Sequence, residues 1–230
     1  PRYLYLYEDG KTGHLKDADR QSHVPIAIVF DATGKRAIAL WDANGGNKMK
    51  WNGESSYDKL HNDVYYNTIA VLQPGTGQGK HWTWDANGSK DGTTIKANEP
   101  TKFPVFYYAG KFYNSPDLTS HLNGKTLVAN LNQDGVWYLP SQYEWKEVFV
   151  KLGMGDGSQV VFSWGSMPPW KGNMVNYAFV AANGTSIATN SNRIYWSSSE
   201  NSNSNAYYVI MRRQNPAFTG WRKNEEQMVR

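Results

Sequence analysis

The chain has 230 residues, a formal charge of +4, 40% apolar and 14% aromatic residues, with 10 Trp and 15 Tyr but no cysteine. That aromatic load excludes a disordered chain, and the scattered 24 Lys and Arg form no basic stripe, which argues against a nucleic-acid partner. Without cysteine there is no disulfide, thiolate metal site or Cys nucleophile, and no apolar run approaches the roughly 18 residues of a membrane helix.

In chain order, Arg2–Tyr7 (RYLYLY) has strand composition and ends at the turn signal Glu8-Asp9-Gly10. Two apolar runs, Val24–Phe30 and Lys35–Trp41, flank Asp31-Ala32-Thr33-Gly34 and predict a hairpin. Asp63–Leu72 suits a short helix or a strand, and the Gly-punctuated stretch 73–102 reads as loop. Phe103–Tyr108 opens a helix or strand, and Asp117–Asn130 has helical spacing through Leu118, Leu122 and Leu127. Val136–Ser141 reads as a strand stopped by Pro140. Ser141 with Glu144 forms a capping box opening an apolar helix that runs to Gly153. A Gly/Pro-rich stretch follows, then a helix over Met174–Ala182 closed by Asn183-Gly184. The tail predicts strands at Ile194–Ser197, Ala206–Arg212 and near Gln227–Arg230. The order gives one α+β domain over residues 1–230.

Few motifs carry chemistry. The pentapeptide WDANG occurs at Trp41–Gly45 and Trp84–Gly88, but neither copy completes a calcium loop, so turn chemistry is the simpler reading. His14, His23, His61, His81 and His121 never fall at metal-ligand spacing, and no HExxH, GxSxG or P-loop is present. No metal or cofactor is expected. Trp82 and Trp84 lie in one polar loop, Trp164 and Trp170 in another, where they suit either core packing or a stacking platform. The stretch SSSENSNSN (Ser197–Asn205) and the tail beyond it mix Asn, Ser, Tyr, Arg, Phe and Trp, the vocabulary of recognition loops; a polar hairpin is the plainer alternative.

Several segments together resemble one family. VWYLPSQYEWKEVF (Val136–Phe149), FPVFYYA (Phe103–Ala109), MVNYAFVAANG (Met174–Gly184), YWSSSE (Tyr195–Glu200) with Asn205-Ala206-Tyr207, the terminal Val229-Arg230 and the hairpin region 25–51 are similar to the DUF1566 group, the Fibrobacter major paralogous domain. The resemblance implies a C-type lectin-like fold and a secreted or surface-anchored, non-enzymatic protein that binds a protein or glycan ligand. A lipid anchor in a removed N-terminal segment fits that picture. It also implies that the tail faces the ligand through Asn201, Asn203, Asn205, Tyr207, Arg212, Asn215, Phe218 and Trp221, flanked by Trp82 and Trp84. Some related members are diversified by retroelements at such positions. Trp137, Leu139, Pro140, Trp196, Ser197, Ser198, Glu200 and Val229 would be framework. The chain departs from the group in stopping at Arg230 and in an apparent insertion at about 150–172. A carbohydrate-active hydrolase and a structural subunit of a surface fibre are the competing expectations.

Overall fold

A computed structural model describes residues 3–53, 61–64, 78–154, 172–189, 193–213 and 216–230. Strands β1 (Tyr5–Tyr7), β2 (Thr12–Gly13), β3 (Pro25–Asp31) and β4 (Arg36–Ala39) form an antiparallel sheet in the order β2-β1-β3-β4. A short β5 (Met49–Lys50) pairs with the C-terminal β9 (Glu226–Gln227). The third sheet is β6 (Arg193–Glu200), β7 (Asn205–Met211) and β8 (Ala217–Arg222), antiparallel in that order. Helices α1 (Gln78–Trp84), α2 (Pro104–Gly110), α3 (Pro116–His121), α4 (Gln142–Phe149) and α5 (Gly172–Val180) complete the described α+β architecture.

Local signals account for several of these elements. The β3–β4 hairpin closes where Asp31 Oδ1 accepts the Gly34 amide at 2.9 Å and Oδ2 receives Arg36. The capping box at α4 is formed: Ser141 Oγ accepts the Glu144 amide and Glu144 Oε1 accepts the Ser141 amide, both at 3.1 Å. Pro104 and Pro116 sit in the first turns of α2 and α3, where a missing N–H costs nothing. Asn183, with φ 60°, takes the left-handed conformation just beyond α5.

Other expectations are corrected. The stretch 73–102 contains helix α1, whose first turn is capped from a distance: Glu144 Oε1 accepts the Gly79 amide at 2.9 Å. A Cβ at Gly79 would stand 2.5 Å from both Glu144 Oε1 and the Leu139 carbonyl, so the residue must be glycine. Val136–Ser141 joins no sheet, and other groups occupy part of its backbone. Thr83 Oγ1 accepts the Leu139 amide at 3.2 Å, and the Ser198 amide donates to the Pro140 carbonyl at 2.9 Å. The helix read over Asp117–Asn130 stops at His121, since Asn123 and Gly124 both take positive φ. Strand β8 was not foreseen. Most of Asp63–Leu72, Trp164, Trp170, Asn215 and all of the 150–172 insertion except Val150–Met154 and Gly172 lie outside the described residues; Val150–Met154 continues α4 as a π turn. The second WDANG copy folds as a 3₁₀ turn at Ala86–Gly88, whereas the first makes a tight turn in which Asn44 and Gly45 take positive φ, 52° and 63°.

One apolar cluster joins these parts. Trp145 and Phe149 of α4 pack on Tyr195 and Phe218 of the third sheet, with ring centroids 5.7 and 5.4 Å apart, while Trp51 sits against Phe103 and Phe106. Glu144 is buried among them and receives Gly79, Ser141, the Tyr138 hydroxyl at 2.6 Å and the Arg36 guanidinium at 3.5 Å. Removing it leaves the Gly79 and Ser141 amides and the Tyr138 hydroxyl without their acceptor, while Arg36 keeps Asp31 and Glu147. Glu144→Ala is therefore expected to lower unfolding stability by about 3–5 kcal/mol, from about 1–3 kcal/mol for each buried donor left unsatisfied. Urea titration checks this, and a loss of less than about 1 kcal/mol would exclude Glu144 as the hub.

Candidate functional site

The recognition-loop composition of the tail resolves into two structural layers. Ser197, Ser198, Ser199 and Glu200 are buried in β6. Ser197 Oγ donates to the Tyr207 carbonyl at 2.9 Å, and Ser199 Oγ accepts the Gln142 amide at the start of α4 at 2.9 Å. The pairing of β6 with β7 shifts register between Trp196 and Glu200, which absorbs these serines into the core side. The framework role implied for Ser197, Ser198 and Glu200 matches this placement.

Asn201–Ser204 then form the β6–β7 turn. The amides of Asn201 and Ser202 both donate to the Asn205 carbonyl, at 3.0 and 3.1 Å, and the Lys223 amide donates to the Ser204 carbonyl at 3.0 Å. Under the turn the Lys223 ammonium donates to Glu200 Oε1 and, at 2.8 Å, to the Asn203 carbonyl. Glu200 Oε1 also lies 3.1 Å from His61 Nδ1, and Oε2 accepts the Asn62 amide at 2.9 Å. Asn62 Nδ2 donates to the Ser198 carbonyl at 2.8 Å, and the Lys223 ammonium lies 4.9 Å from the Trp51 ring centre. Lys223, Glu200, His61 and Asn62 are all buried. An ion pair removed from water endures only when its remaining bonds are satisfied, and here each charged group has several partners.

The short segment carrying His61 and Asn62 is strapped down in turn. Asp63 Oδ2 lies 2.8 Å from His81 Nε2, Asp63 Oδ1 accepts the Trp82 indole N–H at 2.8 Å, and His81 Nδ1 lies 2.9 Å from Asp85. Burial opposes the charge on His81, but the hydrogen bonds to Asp63 and Asp85 outweigh it and raise its pKa. Burial likewise opposes the charge on Asp63, and the bonds from His81 and Trp82 outweigh it and lower its pKa.

The ten predicted contact residues do not share one surface. Asn203 is exposed, Asn201 and Asn205 are half-buried, and Trp221 is 44% exposed. The Asn201 side chain lies across Gly220, where a Cβ would come within 2.3 Å of its Nδ2. Tyr207 is only 5% exposed and Phe218 is fully buried, which corrects their assignment to a ligand-facing surface. Both faces of this sheet are buried over most of their length, and exposure is confined to its end at the turn. Tyr207 pairs with Gly220 and Val209 with Phe218 on the face packed against α4, whereas Trp221 pairs with Ala206 on the opposite face. Trp82 is 2% exposed, with its indole committed to Asp63. Trp84 is half-buried beneath the Lys111 ammonium, 5.0 Å from its ring, so neither forms an open platform. Arg212 is half-buried beside Thr189, and Asn215 lies outside the described residues. What remains accessible at the turn end of this sheet is Asn203, Asn205 with the exposed Arg222 opposite it on one face, and Trp221 on the other face. The sequence pattern gives Arg222, Lys223 and His61 no role in a site. Glu200 and His61, side-chain partners of Lys223, lie 23 and 162 residues away from it, so no local spacing could reveal them.

Other ionisable clusters are committed to holding the chain. Glu8, Asp9 and His23 bring three potential ligand atoms within 4.8 Å of one another. Arg20 stands 2.9 Å from Asp9 and Lys125 3.9 Å from Glu8, so cations of the protein already balance these carboxylates. Lys96 is fully buried and its pKa is pushed down to about 7, chiefly by burial. Its ammonium donates to Ser89 Oγ and the Gly88 carbonyl at 2.8 and 2.9 Å, tying the second WDANG turn to α1. Asp42 of the first WDANG copy binds Arg230 at 2.7 Å and accepts the Tyr195 hydroxyl at 2.9 Å. Arg36 gathers Asp31, Glu144 and Glu147.

No family model matches the chain, and no curated protein matches it, so the resemblance to the DUF1566 group has no such match behind it. Among solved structures, a fimbrial protein from Bacteroides ovatus is similar at 15% identity and a TM-score of 0.45; the match covers 100% of this chain and 48% of that one. The chain thus spans about half the length of that protein. A likeness at this level fixes neither fold family nor function.

The strap has a defined pH dependence. Because the folded pKa of His81 is above its ordinary 6.5, its contribution is complete below that value and is lost as pH rises through the raised folded pKa. The Asp63 contribution is present above its ordinary 3.8 and is lost on acidification through its lowered folded pKa. The stability difference between wild type and His81→Ala is expected to be larger at about pH 5.5 than at about pH 8.5. Chemical denaturation at both values checks it; equal differences would mean that the fold does not raise the His81 pKa.

Proposed function

We propose that the chain is a single, non-enzymatic ligand-binding domain of C-type lectin-like type, acting at the cell surface or outside the cell. Its recognition surface is the β6–β7 turn with the end of β8. The observation that carries this reading is the buried Lys223–Glu200–His61 cluster beneath the turn, which holds the exposed Asn203 and the neighbouring Trp221 and Arg222 in place from below. A rigid turn that offers amides for hydrogen bonding and one large aromatic side chain suits a protein or glycan surface, since little order is lost on binding. The single-domain reading is supported by an apolar cluster that runs from Tyr5 to Val229. The lectin-like reading is supported by α4 and α5, the three-stranded sheet, and the pairing of β5 with the C-terminal β9. The non-enzymatic reading is supported by the commitment of Glu144, Glu200, Lys96 and Lys223 to structural bonds inside the fold.

Retroelement diversification is a finer form of the same proposal. Under it, variation concentrates at Asn203, Asn205, Trp221 and Arg222 and spares Tyr207 and Phe218, whose side chains are core.

Screening wild type on glycan and protein arrays, then measuring the strongest hit with variants, tests the function. Trp221→Ala and Asn203→Ala are expected to weaken binding about tenfold or more each, with Tm within about 2 °C of wild type. Phe218→Ala is expected to cost about 3–5 kcal/mol of stability. Undiminished binding by both surface variants would refute the assignment.

A further inference from the structure

A second concave surface shares no lining residue with the turn. Three adjoining hollows of ≈ 380, ≈ 340 and ≈ 430 Å³ run along the side carrying the first WDANG turn and α3. The first and second share Trp41 and His121; the second and third share Gly45 and Asp117. Each is within the size range of small-ligand sites, about 300–1,000 Å³, and together they form a continuous groove.

The chemistry of the groove is specific. Trp41 and His121 stack with ring centroids 4.1 Å apart and planes at 20°, and the Trp41 indole N–H is fixed on the Asn183 carbonyl at 2.9 Å. The half-buried His121 ring thus presents a held aromatic face at the junction of two hollows. The half-buried rings of Tyr107 and Tyr108 line the far end. Around the first hollow stand the exposed polar side chains of Gln21, Ser120, Asn123 and Asn183. In its wall lies Tyr7, only 1% exposed, whose buried hydroxyl has no hydrogen-bond partner among the described residues. A buried hydroxyl without a partner is costly, and a ligand group entering the hollow would supply one.

The cations at the two ends of the groove already have their own counterparts, whereas Arg193 in the middle hollow is held by the Ser186 carbonyl and pairs with no carboxylate among the described residues. Arg20 is 2.9 Å from Asp9, His23 is 3.1 Å from Glu8, Lys111 is 2.8 Å from Asp134, and Asp117 Oδ1 accepts the Gly45 amide at 2.9 Å. An anionic ligand at either end would have to break one of these pairs, whereas a neutral ligand would not. An extended peptide would seek an open strand edge, and β1 beside the first hollow is paired on both sides by β2 and β3.

We propose that this groove is a binding site for a neutral oligosaccharide, with sugar rings lying on the His121 and Tyr107–Tyr108 faces and a sugar hydroxyl partnering Tyr7. Aromatic faces matched with amide and hydroxyl groups are complementary to the alternating apolar and hydroxyl faces of pyranose rings. The site does not depend on the turn described above, and the two can fail separately.

The test is titration of the ¹⁵N-labelled protein with neutral trisaccharides (maltotriose, cellotriose, xylotriose, chitotriose), with sialyllactose as the anionic comparison. At least one neutral sugar is expected to shift the amides of Trp41, Tyr107, His121 and Asn183 at millimolar concentration. His121→Ala and Tyr7→Phe are each expected to weaken that binding about tenfold. Tyr7→Phe should leave Tm unchanged or raised, since it deletes an unpartnered buried hydroxyl, and Trp221→Ala should leave this affinity unaltered. The proposal is overturned if no neutral sugar shifts these amides, if the shifts centre on Asn201–Asn205, or if sialyllactose binds more tightly than every neutral sugar.

Discussion

The Glu200 carboxylate is the constraint on which the C-terminal half depends. It is buried at the end of β6, and it collects the Lys223 ammonium, the His61 imidazole and the Asn62 amide, groups delivered by the segment after β8 and a distant loop. A carboxylate so placed cannot lose one partner cheaply, because the charge left behind has no water to turn to. Satisfying it fixes the spacing between the end of β6 and the end of β8, and therefore the shape of the turn between β6 and β7. The polar turn stays ordered because its order is enforced from the inside.

A second carboxylate plays the same part in the other half. Glu144 caps its own helix, caps α1 through Gly79, and meets Tyr138 and Arg36. Two buried carboxylates, one at the N-terminus of α4 and one at the end of β6, thus organise a fold with unusually short strands and long connections. The surfaces left over are of two kinds. One is a turn of amides near Trp221, and the other is a groove with aromatic faces and paired charges at its two ends.

What could be read in the sequence was local. The Ser141–Glu144 capping box, the β3–β4 hairpin around Asp31–Gly34 and the strands on both sides of SSSENSNSN depend on neighbours a few residues away. Helix α1 escaped because its cap is Glu144, 65 residues away. Val136–Ser141 looked like a strand because its composition is apolar and extended, but Thr83 and Ser198 occupy backbone groups a neighbouring strand would have needed. Tyr207 and Trp221 were grouped by composition, and only the register that pairs Tyr207 with Gly220 and Trp221 with Ala206 separates them onto opposite faces. Within SSSENSNSN the division after Glu200 was legible through the resemblance of YWSSSE to a framework motif, and the burial of Ser197–Glu200 agrees with it.

The central claim is that the turn is rigid because of the buried pair beneath it, and native-state hydrogen exchange tests it most directly. In wild type the amides of Asn201, Asn62 and Lys223, which donate to Asn205, Glu200 and Ser204, should exchange only through openings close in free energy to global unfolding. In Glu200→Gln the same amides should exchange through much smaller local openings while those of β3 and α4 keep their protection. Fast exchange of the three amides in wild type, or unchanged protection in Glu200→Gln, would contradict the account.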